Sequence, residues 1–347
     1  MVRVVRKTLI DLAELLHSLV QFVQIWSNLE KPDFIYERYS LFSWAGLALT
    51  IRWKIPYCVE FNDPGIETRK IYFGRSLLEP VSILLFKRIV SKAGAVIAVS
   101  RAVATKLALM GAENAKIHIV PNGVSPEAFD PIHVDSKQMT RHYDLTNSSV
   151  IGFVGGMTPW HGVNVLVEAA PRILGTCPNA CFLIVGGEDT SIAEVQKITE
   201  SNGSSGKFIW TGWVPHEQVA AYLKIMDIVI APYVPLRNGP IYFSPLKVFE
   251  YMAMGKPVVA SRIDQLEEIF EESKEVLLID PGNVLELADA ILSLLSNPEF
   301  ACQLGLNAQK KVLDNYTWDR IARRIMDIYC QLSKDSGRSG SGVKNFQ

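Results

Sequence analysis

The sequence predicts an α/β fold built on two parallel sheets, and three observations carry that expectation. Strand-like runs alternate with helical patterns along most of the chain, which is the mark of parallel strands joined by helical crossovers. The strand runs are almost continuously apolar, as strands covered on both faces require. A stretch rich in Pro and turn formers, "PNGVSPEAFDPIHVDSKQMTRHYDLTNSS", separates one series of strands from a second.

Taken in order, the chain opens on a helical pattern, "TLIDLAELLHSLVQFVQIW", with no strand and glycine turn ahead of it. Strands are expected at 33–37, 56–61, 94–100 and 116–121, and then at 149–156, 180–187, 207–212, 227–233, 256–261 and 275–280. A domain of this class normally begins with a strand feeding a Gly-rich turn, so the shorter first series reads as an incomplete N-terminal domain. The expected boundaries are 1–135 and 136–315 for the two domains and 316–332 for a closing helix. The Gly/Ser-rich tail 333–347 is expected to be disordered.

With 347 residues the chain is long enough for two domains with separate cores. A net charge of -1 gives no overall attraction to nucleic acid. Asp11, Glu14 and His17 interrupt the first apolar stretch, and Glu79, Lys87 and Arg88 interrupt "SLLEPVSILLFKRIV", so neither reads as a membrane-spanning helix. No signal peptide with a cleavage site is evident. Five cysteines, odd in number and without a Cys-x2-Cys pair, point to reduced structural thiols in a cytoplasmic protein and to no metal. The small basic cluster Arg3, Arg6 and Lys7 leaves open a peripheral contact with the inner face of a membrane.

The stretch "YFSPLKVFEYMAMGKPVV", 242–259, carries the most chemistry. Ser244 suits an N-cap and Pro245 the first helical position, while Gly255 and Pro257 mark the stop. Lys247 then falls in the first turn, where the helix dipole favours an anion. A bound phosphate, held also by the free N–H groups of Leu246 and Lys247, would reconcile the two. The plainer alternative is a surface ion pair between Lys247 and Glu250 at i,i+3. In "GFVGGMTPWHG" the turn at Gly155 and Gly156 allows close backbone approach, but it lacks the Gly-x-Gly-x-x-Gly spacing of a dinucleotide site.

In order and spacing, "PDFIYERYS", "AVIAVSRAVATKL", "KIHIVPNGV" with Phe129, "GFVGGMTPWHGVNVLVEA", "FLIVGGED", "FIWTGWVP", "DIVIAPY", "SPLKVFEYMAMGKPVVAS" and "LEEI" resemble the retaining family 4 glycosyltransferases of the GT-B fold. The resemblance covers roughly residues 31 to 330. It implies two Rossmann-like domains facing across a cleft, with a nucleotide-sugar donor on the C-terminal domain and a glycan or lipid-linked acceptor on the N-terminal one. It also implies no cofactor beyond the donor, and it makes the closing helix one that crosses back toward the first domain. Glu250 matches the second glutamate of the family's Glu-x7-Glu pair, which binds ribose; Tyr242 stands where the first would be. Gly156 and His161 stand where the family carries an Arg and a Lys against the diphosphate, and Asn62 stands where many members carry a His. Lys247, with His161 if protonated, is expected to replace the missing charge.

The implied catalytic residues are therefore Lys247, Glu250 and Asn62. The donor contacts are Gly155, Gly156, His161, Gly187, Glu188, Trp213, Val214, Tyr242, Ser244, Pro245 and Leu246. Trp213 suits either packing or base stacking, and Asn62 with Asp63 could instead shape the turn at Pro64 and Gly65. Three readings follow: an active glycosyltransferase, a nucleotide-sugar-binding protein without catalysis, or an N-terminally truncated fragment whose first helix leaves an apolar face uncovered.

Overall fold

The computed structural model describes residues 2–74, 76–235, 242 and 244–335. The chain divides into two compact units, one formed by residues up to Pro121 with Tyr242–Ser244 and the chain from Ile321 onward, the other by Asn122–Ile241 and Pro245–Arg320. The sequence-based boundary after residue 135 thus falls inside the second unit.

The first unit contains α1 (Val2–Asn28), β1 (Ile35–Arg38), α2 (Ala45–Trp53), β2 (Tyr57–Phe61), α3 (Ile66–Phe73), α4 (Glu79–Lys92), β3 (Ala95–Ala98), α5 (Arg101–Leu109) and β4 (Ile117–Ile119). Its sheet has the order β1-β2-β3-β4, parallel throughout. The two faces of β3 explain its unbroken apolar sequence. Val96 and Ala98 join a core with Val59, Phe61 and Phe86, while Ala95 and Ile97 join Cys58, Ile321 and Ile328 on the other side. Successive side chains point to opposite faces, and here both faces are covered.

Helix α1 is tied to this unit by polar groups. Trp44 offers no capping side chain to α2, and Ser18 of α1 supplies one instead, its Oγ accepting from the N–H groups of Trp44 and Ala45 at 2.9 Å each. Asp11, fully buried, pairs with Arg69 of α3. The opposite face of α1 exposes Leu9, Leu12, Leu16, Leu19 and Val23. Contrary to the sequence reading, Arg6–Asn28 is long and apolar enough to cross a membrane by length and composition alone. Of the residues that argued against it, Asp11 and Glu14 lie toward Arg69, while His17 stays exposed beside the apolar row.

The second unit runs through α6 (Lys137–His142), β5 (Ser149–Val154), α7 (Val163–Thr176), β6 (Ala180–Val185), α8 (Asp189–Ser201), β7 (Phe208–Trp210), α9 (His216–Lys224) and β8 (Ile228–Ala231). It continues with α10 (Leu246–Ala253), β9 (Val258–Ser261), α11 (Asp264–Ile269), β10 (Leu277–Ile279), α12 (Val284–Ser296) and α13 (Pro298–Asn315). Its parallel sheet has the order β10-β9-β8-β5-β6-β7. Phe153, Leu166, Phe182, Ile184, Ile230 and Ile291 form the centre of its core. Asp227 pins the start of β8 to β5, its carboxylate accepting from the Val150 N–H at 2.7 Å.

Every expected strand forms, and each is shorter than its apolar run, because residues at the run's end leave the ladder for loops. The closing helix, α14 (Trp318–Asp335), is longer than expected. Residues 333–335, assigned from the sequence to a disordered tail, belong to it, and Ser333 is buried; the rest of that tail, 336–347, lies outside the described residues.

Candidate functional site

Strand order in the second sheet reverses between β5 and β8, and in open α/β sheets ligands collect at the carboxyl ends of strands beside such a reversal. A cavity of about 670 Å³ lies there, floored by the chain after β5 and β6 and walled by the starts of α9 and α10.

Its floor is two nested glycine turns. Val154 ends β5, still paired with Val185 of β6, and beyond the last β8 pair its backbone is taken up by Tyr251 of α10, whose hydroxyl accepts from Val154 N–H at 2.8 Å and donates to its carbonyl at 3.1 Å. The chain then turns at Gly155, with φ 142°. Gly186, after β6, has φ 105°, and a Cβ there would sit 2.5 Å from the Gly155 carbonyl oxygen. Only glycine meets both demands, so the two turns approach backbone to backbone and leave the space above them for a ligand. Gly187, with φ 91°, is bounded by the Met157 sulfur in the same way.

Helix α10 supplies the charge. Pro245, with φ -76° and ψ 84°, occupies the N-cap position, and the helix starts at Leu246. This corrects the sequence assignment of Ser244 as cap: the extended ψ of Pro245 places the helical start one residue later, and Ser244 is buried. The Val248 N–H is already bonded to the Pro245 carbonyl at 2.9 Å, which leaves the Leu246 and Lys247 amides as the free donors of the first turn.

The Lys247 stem is partly exposed, but its Nζ is sealed from solvent and has no hydrogen-bond partner among the described residues. It lies 4.4 Å from the Phe153 ring centroid and 5.4 Å from that of Tyr233. A Cβ on Gly155 would meet it at 2.5 Å, so that glycine also makes room for the ammonium. Burial lowers its pKa to about 7, against which the charge of Glu250 pulls upward. The surface ion pair with Glu250 is therefore not made. A buried ammonium beside the first-turn amides of a helix is an arrangement that favours an anion.

His161 closes this side of the cavity. Its Nδ1 donates to the Gly156 carbonyl at 2.5 Å and lies 3.2 Å from the Thr158 hydroxyl. Burial first, and the nearby Lys247 charge second, push its pKa down to about 4. The imidazole is therefore neutral near pH 7, so the option of a protonated His161 gives way: burial disfavours the charged ring, and the neighbouring lysine adds to that. With Nδ1–H committed to Gly156, Nε2 is an acceptor.

Glu250, one turn along α10, is largely buried and accepts at 3.0 Å from Nε2 of His216, the first residue of α9. Phe129 stands edge-on against that imidazole, with ring centroids 5.7 Å apart. The sequence reading missed both His216 and Tyr251. The trace of them is position: His216 follows the "WVP" turn at a helix start, and Tyr251 follows Glu250 on the helix that carries Lys247.

The cavity gathers Gly155, Gly156, His161, Gly187, Glu188, Trp213, Val214, Leu246, Lys247 and Glu250 from the expected set. Trp213 is 77% exposed, so it is no part of the core and is available at the rim. Pro245 is buried as the cap residue and does not line the cavity. Tyr242 and Ser244 group with the first unit, where Tyr242 packs on the core around Phe61 and Phe86. Tyr242, half-buried, packs at the edge of that core and is not among the residues lining the cavity. Asn62 also belongs to the first unit, donating to Glu60 at 2.8 Å, and beside it Asp63 accepts from Gly65 N–H at 2.5 Å to shape the turn.

Comparison with known proteins agrees with this geometry. Residues 1–128 match the family described as Glycosyltransferase Family 4 and residues 148–297 match Glycosyl transferases group 1, together most of the chain. The chain is 26% identical over 257 residues to a GDP-mannose-dependent alpha-(1-6)-phosphatidylinositol monomannoside mannosyltransferase of Mycolicibacterium smegmatis, covering 74% of this chain and 66% of that protein. It is 27% identical over 217 residues to an uncharacterized glycosyltransferase of Methanocaldococcus jannaschii, covering 62% of this chain and 54% of that one. The chain thus spans between about half and two thirds of the length of these curated relatives. Among solved structures, HepE of Anabaena in complex with UDP superposes with TM-score 0.75 at 19% identity, covering 89% of this chain and 82% of that one. A glycosyltransferase from Rickettsia africae superposes with TM-score 0.71 at 22% identity, covering 93% and 82%. With both family models satisfied and both parallel sheets in place, the chain belongs to the family 4, group 1 glycosyltransferases of the GT-B fold.

Proposed function

We propose that this protein is a retaining glycosyltransferase that moves a sugar from a nucleotide-sugar donor to a glycan or lipid-linked acceptor without a metal ion. One observation carries the reading: Lys247 lines a cavity at the sheet's switch point, and its buried Nζ has no hydrogen-bond partner among the described residues. As the glycosyl C1–O bond breaks, charge grows on the diphosphate, and groups already aimed at it lower the barrier. Lys247, the Leu246 and Lys247 amides and the glycine turn at Gly155 and Gly156 supply that stabilisation. Glu250 accepts from the ribose hydroxyls, a charge-assisted contact worth about 1.5–3 kcal/mol. Trp213 and Val214 border the base.

The acceptor oxygen forms its bond to C1 on the face from which the diphosphate leaves. Its proton passes to a phosphate oxygen, so the products are the glycoside and the nucleoside diphosphate. Asn62, at the carboxyl end of β2, is assigned to the acceptor side. The activity named for the Mycolicibacterium relative, on a phosphatidylinositol monomannoside, supports a lipid-linked acceptor. So does the exposed row Leu9, Leu12, Leu16, Leu19 and Val23 on α1, which suits a peripheral contact with the cytoplasmic face of a membrane.

The test is nucleoside diphosphate release from UDP-, GDP- and ADP-sugars with glycan and lipid-linked acceptors, with and without chelator, and the anomeric configuration of the product by NMR. An α-linked product from an α-donor, formed equally with chelator present, is expected. Donor binding without release for every acceptor would sink the enzyme reading, and sedimentation with anionic vesicles that is unchanged by Leu12→Ser and Leu16→Ser would sink the membrane contact.

A further inference from the structure

We propose that His216 is a positioning residue that presents Glu250 to the ribose of the nucleotide, a role that rests on reading the cavity as a nucleotide-sugar site. Glu250 projects from α10 on a flexible side chain of which only 17% is exposed, so its carboxylate needs donors and a reason to hold one rotamer. His216 provides both. A carboxylate only accepts, so the 3.0 Å contact places the proton on Nε2. Oε1 is thereby occupied; among the described residues the His216 contact is the one hydrogen bond of this carboxylate, so Oε2 is the oxygen left for a ligand hydroxyl.

The histidine, its side chain 67% exposed, is braced on one side. It begins α9 directly after Pro215, which fixes the chain's entry into the helix, and Phe129, 3% exposed, braces its ring edge-on. The chain Phe129, His216, Glu250 thus runs from core to cavity and ends on one free carboxylate oxygen. Orientation set before the ligand arrives removes an entropy cost from binding. Both His216 and Glu250 line the same cavity, and the arrangement selects for a ligand with a hydroxyl donor at that oxygen.

The experiment is calorimetric titration of the full chain with UDP and GDP and with their 2′,3′-dideoxy forms, for wild type, His216→Ala and His216→Gln. The alanine variant is expected to weaken the better-bound ribonucleotide about fivefold, the size of one hydrogen bond's orientation, and its dideoxy form by less than about twofold. Glutamine, whose amide still donates, is expected to restore most of the loss. Equal losses for ribose and dideoxyribose, no loss at all, or no rescue by glutamine would overturn the role of His216 while leaving the nucleotide site standing. If wild type bound neither form, or failed to distinguish them, the ribose reading of Glu250 would fall and this proposal with it.

Discussion

The Lys247 ammonium lies 4.4 Å from the centre of the Phe153 ring, held over an aromatic face instead of beside an anion. A cation placed this way is half-solvated by the ring and otherwise waiting for negative charge. Its lowered pKa, about 7, puts its protonation within the physiological range.

Diphosphate binding should therefore depend on pH. A diphosphate is attracted to the protonated form of Lys247, so affinity is expected to be level between about pH 6 and 7. It should then weaken with rising pH, approaching tenfold per unit, as the free site loses its proton. Calorimetry in buffers of different ionisation heat should show proton uptake on binding at pH 8. His161, with its pKa near 4, adds no charge in this range. A flat profile from pH 6 to 9 would contradict the assignment of Lys247.

The same lysine should cost the ligand-free protein stability. Its pKa is about 7 folded against 10.5 for a free lysine. Between these values the unfolded chain holds a proton that the folded one lacks, so this group's contribution makes stability rise with pH across that window. Below about pH 7 both states hold the proton and the burial penalty is felt in full. Lys247→Met is expected to raise ligand-free stability by about 1–3 kcal/mol at pH 6, less at pH 9, while weakening diphosphate binding tenfold or more. Chemical denaturation at the two pH values, with a binding assay alongside, decides it.

Tyr251→Phe should loosen the glycine turn. The hydroxyl satisfies both the N–H and the carbonyl of Val154, and its loss leaves two buried backbone groups without partners, a cost of about 1–3 kcal/mol. Since Gly155 follows directly, donor KM is expected to rise several-fold. A variant with lowered Tm and unchanged KM would show that the clamp serves stability alone.

Gly186→Ala should close the cavity floor. The residue has φ 105°, and the added Cβ would press the Gly155 carbonyl oxygen at 2.5 Å. Strain of about 1–3 kcal/mol is expected, with donor binding lost or reduced tenfold or more. Gly206→Ala, where a Cβ meets nothing within 4 Å, is the matched control and should bind donor as wild type does.

Much of the fold was legible because its signals are local. The runs at "GAVIAV" and "ACFLIVGG" carry no charged or hydroxyl residue since both faces of their strands are covered, and that requirement is written residue by residue. Gly155 was legible for a related reason, since a turn that needs positive φ leaves its mark in adjacent glycines, whereas Gly187 and Glu250 were named through the family resemblance. Ser244 misled because cap preference is a local average, and the ψ of Pro245 overrode it. Tyr242 misled in another way. Its place in the family pattern suggests a ligand contact, but the core around Phe61 and Phe86 takes the ring.

The sequence by itself determined the class of fold, the order of strands and helices, the two glycine turns and the helix that carries Lys247 and Glu250. Each of these rests on spacing along the chain. The tertiary structure decided what those residues are chemically. It sealed Lys247 from water, kept His161 neutral by burial beside that lysine, joined Glu250 to a histidine 34 positions away, and tied Tyr251 to a strand 97 positions away. Proton affinity and hydrogen-bond partnership depend on solvent exclusion and on neighbours brought together by folding, and neither is carried by local order along the chain.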